Sequence, residues 1–225
     1  ASRPRQDLGP SRRTFALRAA VRVRDTDPMR PLYVRSSRCV ELSKNLECHP
    51  ESARLVHGLV GAYGLFEHMD VVEPRPLGEE DLMEYHTRGY IDALKGWESL
   101  SEDELAECGL EDDCPPFKKV LEYARYCAGG SMLAARALES GTHKVAIHWD
   151  GGRHHAQKGC AHGFCYVNDI VLSLLRLLAT FERVLYIDVD IHHCDAVQDA
   201  FYWSDRVTCI SMHKHEPGFY PGTGG

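Results

Sequence analysis

A chain of 225 residues with 44% hydrophobic content is long enough for one sizeable core and short for two ordinary domains. Its net charge of −7 is uneven, because residues 1–30 carry eight arginines against three aspartates and leave residues 31–225 strongly acidic, which argues against a nucleic-acid footprint on the body and suits a cationic partner. Nine cysteines without a Cys-x-x-Cys pair predict free thiols in a reducing compartment, and no apolar run approaches the ~18 residues of a spanning helix, so no membrane partner is expected.

Residues 1–30 read as a basic tail without fixed structure, with an organelle transit peptide as the other reading of Arg12 to Arg24. Residues 31–225 read as one domain. Arg30 to Val34 predicts a short first strand, and Pro50-Glu51-Ser52 opens a helix expected to run to Met69. Helices are also expected over Glu79–Lys95 and Phe117–Glu139, the latter with alanine-rich faces suited to close packing. The acidic stretch Glu98–Pro116 reads as a surface loop. Beyond it the rhythm changes: Lys144–Trp149 strand, Val167–Ala179 helix, Arg183–Asp190 strand, Asp195–Tyr202 helix, Arg206–Met212 strand. That alternation predicts a parallel sheet with right-handed crossovers. Ala1 and the turn-forming residues Pro221 to Gly225 read as cut ends.

The chemistry gathers at strand ends. Tyr186-Ile187-Asp188-Val189-Asp190 is apolar until its carboxyl end, where ligands bind in open α/β sheets. Period-two geometry, if extension continues, puts Asp188, Asp190 and His192 on one side. Buried acids need a cation or hydrogen-bonded bases; the plainer alternative is a loop that caps the next helix through Asp195. The preceding strand ends in Gly151-Gly152-Arg153-His154-His155, and its glycines allow two consecutive imidazoles to face a cleft. Adjacent strands would bring His154 and His155 to Asp188, Asp190, His192 and Asp195. Bases, oriented acids and N/O donors are what metal-assisted hydrolysis requires.

Four ordered motifs, Gly151 to Ala156, Gly163 to Asp169, Asp188 to His193 and Pro217 to Gly224, resemble the zinc-dependent histone deacetylases from about Tyr33 onward. His86-Thr87 with Tyr90, Asp113-Cys114-Pro115 and Ser211 to Lys214 extend the match, which is closest to class I and its histone deacetylase 8 branch. The resemblance implies an arginase-like three-layer α/β/α fold with a central parallel sheet, of which this chain is the N-terminal part. It implies zinc on Asp190 and His192, with a third carboxylate and an oxyanion-donating tyrosine beyond residue 225. His155 is then the general base, oriented by Asp195, and His154 its partner, paired with Asp188. Phe164 and Tyr220 wall a tunnel for the acetyl-lysine stem, the Gly163 carbonyl takes the amide hydrogen, and Asp113 holds the substrate backbone. Potassium is implied at Asp188, Asp190, His192, Ser211 and Met212, and at an outer site of Phe201, Ser204 and Val207.

The sequence departs from the pattern at Cys194 and Ala196, where the family usually has glycine. Cys194 is either a soft thiol competing for metal or a small buried apolar residue. Gly159, Cys160 and His162 replace commonly acidic or hydroxylated residues, and Arg153 a usually apolar one. The expected function is hydrolysis of acetyl-lysine in histones or other proteins, in the nucleus or cytoplasm. Alternatives are a catalytically dead binding or regulatory protein, or a polyamine or other acetylamide deacetylase. Residues 1–225 by themselves are expected to be inactive, to hold zinc poorly and to aggregate.

Overall fold

The computed structural model describes residues 29–225, so all but the last two residues of the expected basic tail lie outside it. Arg30 is already anchored, its guanidinium reaching Asp70 at 2.9 Å and the carbonyls of Glu67 and Met69.

Strand β1 (Leu32–Val34) is wholly buried, as a short apolar run between two neighbours should be. It pairs in parallel with β2 (Asp70–Val72) on one side and β3 (Ala146–His148) on the other. Helix α1 (Ser37–Ser43), which the sequence reading missed, starts where the Ser36 hydroxyl accepts from Cys39 N. Helix α2 (Ser52–Ala62) stops short of Met69, because Gly64 takes the left-handed conformation that closes a helix, and a single 3₁₀ turn, Leu65–His68, follows.

The expected helix Glu79–Lys95 is two, α3 (Glu79–Leu82) and α4 (Arg88–Gly96), since the Thr87 side chain caps Tyr90 N and opens a new helix there. Nor is Glu98–Pro116 merely a loop. A 3₁₀ turn, Trp97–Ser99, leads into α5 (Glu102–Glu107), which Ser101 and Glu104 close reciprocally in a capping box. Helix α6 (Val120–Glu139) is the spine of the domain and packs most extensively on α7 (Asp169–Leu177). Its main core unites Tyr90, Leu94, Tyr123, Cys127, Met132 and Leu172, among others.

Strand β4 (Val184–Asp188), α8 (Asp195–Phe201) and β5 (Val207–Ser211) complete the α/β alternation, with β4 and β5 parallel and Asp188 opposite Ser211. The parallel strands fall into two ladders, β2-β1-β3 and β4-β5, and β3 does not pair with β4. At the end of β3 the His148 ring turns to the Ser131 hydroxyl of α6 at 2.9 Å, and beyond it side chains, not a ladder, join the two halves, His154 to Asp188 and His155 to Asp195. All nine cysteines are free thiols, and no described helix is long and apolar enough to cross a membrane.

Candidate active site and metal-binding residues

The loop after β3 carries both imidazoles into the interior, and its path is fixed by buried acceptors. Asp169, the first residue of α7, accepts from Gly152 N at 3.0 Å and Arg153 N at 2.7 Å. Asn168 caps α7 through Val171 N and donates its amide to the Ala156 carbonyl at 3.0 Å. One asparagine thus ends the loop and starts the helix.

His154 and His155 are buried, and each meets a carboxylate from the second half, Asp188 at the end of β4 and Asp195 at the start of α8. His154 Nδ1 lies 2.7 Å from Asp188 Oδ2, and His155 Nδ1 lies 2.8 Å from Asp195 Oδ1. The two rings stand 3.9 Å apart. Burial, the largest influence, holds His155 below the ordinary imidazole value against the pull of Asp195. For Asp188 burial would raise the carboxyl, but hydrogen bonds from His154, the Tyr186 hydroxyl and Asp190 N override it and bring it down to about 2. Asp195 is lowered in the same way, against its burial, by His155 and Ala196 N. Both acids are therefore ionised near neutrality, and the imidazole Nδ1–H groups donate to them. His155 Nε2 is buried and has no partner among the described residues.

Asp190 and His192 converge differently from the expected period-two extension. The strand ends at Asp188, whose carboxylate takes Asp190 N, and Asp190 in turn takes His192 N at 2.8 Å, a pair of bends in place of continued strand. Asp190 Oδ1 and His192 Nδ1 are 2.9 Å apart and partly exposed, and His192 stacks on Phe219 at 5.3 Å.

Gly163 and Phe164 both have left-handed backbones, at φ 54° and 63°. A bulky aromatic there is strained, which marks a shape held by its surroundings. No side chain fits at Gly163, where a Cβ would stand 2.4 Å from the Tyr220 hydroxyl and 2.6 Å from the His155 ring. The Gly163 carbonyl accepts the Cys165 thiol at 3.2 Å, and Phe164 is 47% exposed. Tyr220 stands edge-on to His155 at 4.9 Å; burial, then Asp195 and Asp113, push its phenol above its ordinary value. Asp113 lines a cavity of about 280 Å³ with Glu107, Glu111, Asp112, Cys160 and His162.

Residues 46–225 match the histone deacetylase domain, four-fifths of the chain. The chain belongs to the histone deacetylase family. It is 43% identical over 198 residues to histone deacetylase 8 of Xenopus tropicalis, covering 86% of this chain and 54% of that protein. Histone deacetylase 8 of Danio rerio is 42% identical over 86% of this chain and 52% of its own length, and human histone deacetylase 1 is 41% identical over 78% and 37%. The chain spans about half the length of the curated relatives it matches.

Within this histone deacetylase domain, Asp190 and His192 fit a zinc ion by donor type and by convergence, since two donors on one ion stand roughly 3 Å apart. They are two donors where a catalytic zinc has three protein ligands. Cys194 belongs to no described group of three metal-binding side chains; it is buried with Val171, Val197 and Phe201 as a small apolar residue. For the inner potassium set, Asp188 and Ser211 are register partners and Met212 N donates to the Asp188 carbonyl at 2.9 Å. For the outer set, Phe201 and Val207 share one core cluster and Ser204 N donates to the Phe201 carbonyl.

Two features escaped the sequence reading. His162 places Nδ1 2.6 Å from the Tyr220 hydroxyl and 3.9 Å from Asp195 Oδ2. Beneath the loop, Asp150 accepts from His57 Nε2 at 3.1 Å and Tyr33 meets His57 Nδ1 at 2.8 Å, a buried network with no sequence signal because its contacts span 24 and 93 residues.

Proposed function

We propose that the protein hydrolyses the amide of acetyl-lysine in histones or other proteins and releases acetate, acting in chromatin regulation in the nucleus or on cytoplasmic proteins. The observation that carries this reading is the pair of buried imidazole–carboxylate contacts, His155–Asp195 and His154–Asp188, side by side with one free nitrogen, His155 Nε2. Zinc, held by Asp190, His192 and a further carboxylate, would polarise the acetyl carbonyl and activate water.

The protein's own groups then divide the work. His155, neutral because burial disfavours its charge, takes the proton of the attacking water at Nε2 while Asp195 holds Nδ1–H and stabilises the imidazolium that forms. The same nitrogen returns the proton to the lysine amine as it leaves. His154, fixed by Asp188, lies against the His155 ring and shares in the electrostatics. Tyr220 and Phe164 supply apolar walls for the lysine methylenes, Gly163 a carbonyl for the amide N–H, and Asp113 an acceptor at the rim. Potassium at Asp188, Ser211 and Met212, and at Phe201, Ser204 and Val207, would stiffen the strand ends below.

The test is acetate release from an acetyl-lysine peptide by the natural gene product. His155→Ala should lower turnover by about 10³-fold or more and leave zinc content nearly unchanged, because a base is not a ligand. Turnover like the wild type in His155→Ala would remove the assignment, and a wild type without turnover would favour the binding-protein reading. A polyamine amide is the second reading, favoured by the four carboxylates that line the cavity at Asp113; a higher kcat/KM for an acetylated polyamine than for the peptide would select it.

A further inference from the structure

We infer that His155, His162 and Asp195 form a second divalent-cation site, separate from Asp190 and His192, that takes a first-row metal ion such as Zn²⁺ or Co²⁺. These three residues offer one donor atom each, all within 4.8 Å of one another, and they are the one such group of three His, Cys, Asp or Glu among the described residues.

The distances lie close to what a single ion needs. Donors at about 2.0–2.2 Å from a tetrahedral ion stand roughly 3.3 Å apart. His155 Nδ1 lies 2.8 Å from one oxygen of Asp195 and His162 Nδ1 3.9 Å from the other, so the carboxylate faces both imidazoles, and the donors, within 4.8 Å of one another, close by no more than about 1.5 Å. His155 and Asp195 are buried and pre-set by the loop and by α8. His162 is the adjustable member, because its side chain is 43% exposed and is held on the site's side by one hydrogen bond, to the Tyr220 hydroxyl at 2.6 Å. Two imidazoles and a carboxylate suit zinc and its neighbours, and water completes the coordination.

Binding displaces the proton that His155 Nδ1 shares with Asp195, and that proton leaves to solvent. The ion thus replaces the proton in the dyad. Under the hydrolysis proposed above, occupancy would remove the base and inhibit; the site itself is tested without activity.

Protein carrying His192→Ala, freed of metal by chelation, is titrated with Co²⁺ by calorimetry and by visible absorption. One equivalent should bind, and adding His162→Gln should weaken that binding by about tenfold or more with an unchanged circular dichroism spectrum. No binding by His192→Ala, or equal binding after His162→Gln, overturns the assignment. A measurement on the wild type guards against misfolded variants: Co²⁺ should protect His162 from diethyl pyrocarbonate and leave exposed His215 reactive, by peptide mass spectrometry. Equal modification of His162 with and without Co²⁺ overturns the site as well.

Discussion

His86 is enclosed between Tyr85 and Tyr90, and its Nε2 accepts the N–H of Asn168 at 3.0 Å, a role open only to the neutral ring. Burial drives its pKa down to about 4 from 6.5, outweighing the opposing pull of the nearby Lys158 and Gln157 backbone. Above pH 6.5 neither the folded nor the unfolded chain holds this proton. Between 6.5 and about 4 the unfolded chain takes it and the folded chain does not, so stability falls with falling pH through that window. The loss reaches on the order of 3 kcal/mol at the bottom. His86→Gln, which keeps an acceptor but cannot be protonated, should lose about 2–3 kcal/mol less than the wild type between pH 7 and pH 4.5, measured by urea unfolding. Equal pH slopes for the two proteins would refute this. The residue was legible as part of a motif, but its burial was not, because the Asn168 backbone that it serves lies 82 residues away.

Among the elements, α6 and α7 decide how the site is held. A glycine inside a helix ordinarily costs about 1 kcal/mol against alanine, so Gly→Ala should stabilise where space allows. Gly58 in α2 has open space around it and should gain up to about 1 kcal/mol as Ala. Gly129 in α6 is different: a Cβ there would lie 2.1 Å from the Arg75 carbonyl oxygen, which is backbone and cannot swing aside. Overpacking costs of about 1–3 kcal/mol exceed the propensity gain, so Gly129→Ala should lower the melting temperature while Gly58→Ala raises it. The alanine-rich faces of α6 advertised close packing in the sequence, but not which strand or segment would approach. Asn168→Ala should cost more, about 2–3 kcal/mol, since the α7 cap is lost and the Ala156 carbonyl loses its donor. Urea midpoints check it, and a loss below 0.5 kcal/mol would show that water replaces the amide.

Over the whole molecule, the inner face of β4 packs on α7 and α8 while Leu185 and Ile187 of β4, with Ile210 of β5 and the nearby Met212, stay exposed. A contiguous apolar face of this kind drives association between copies in water. Residues 1–225 should therefore scatter light at micromolar concentrations, and Ile187→Lys, on a side chain 53% exposed, should reduce that association several-fold without loss of helical circular dichroism. Unchanged scattering in Ile187→Lys would place the association elsewhere. The acidic body adds little protection there, because the exposed residues of the β4 strand itself carry no charge before Asp190.

By itself the sequence determined the α/β alternation of the second half, the strand ends that bear acids and imidazoles, and the family, because each rests on local periodicity or on short ordered motifs. It misplaced the breaks at Gly64 and Thr87 and passed over α5, although a left-handed glycine, an N-cap and a capping box were all present as local signals. Only the tertiary structure decided that β3 and β4 belong to separate ladders, that Asp190 and His192 meet through bends, and that His162 reaches Tyr220 and Asp195. The ladders and the His162 contacts join residues tens of positions apart, and the bends rest on carboxylates that capture backbone N–H groups two residues on, which no strand or helix period encodes.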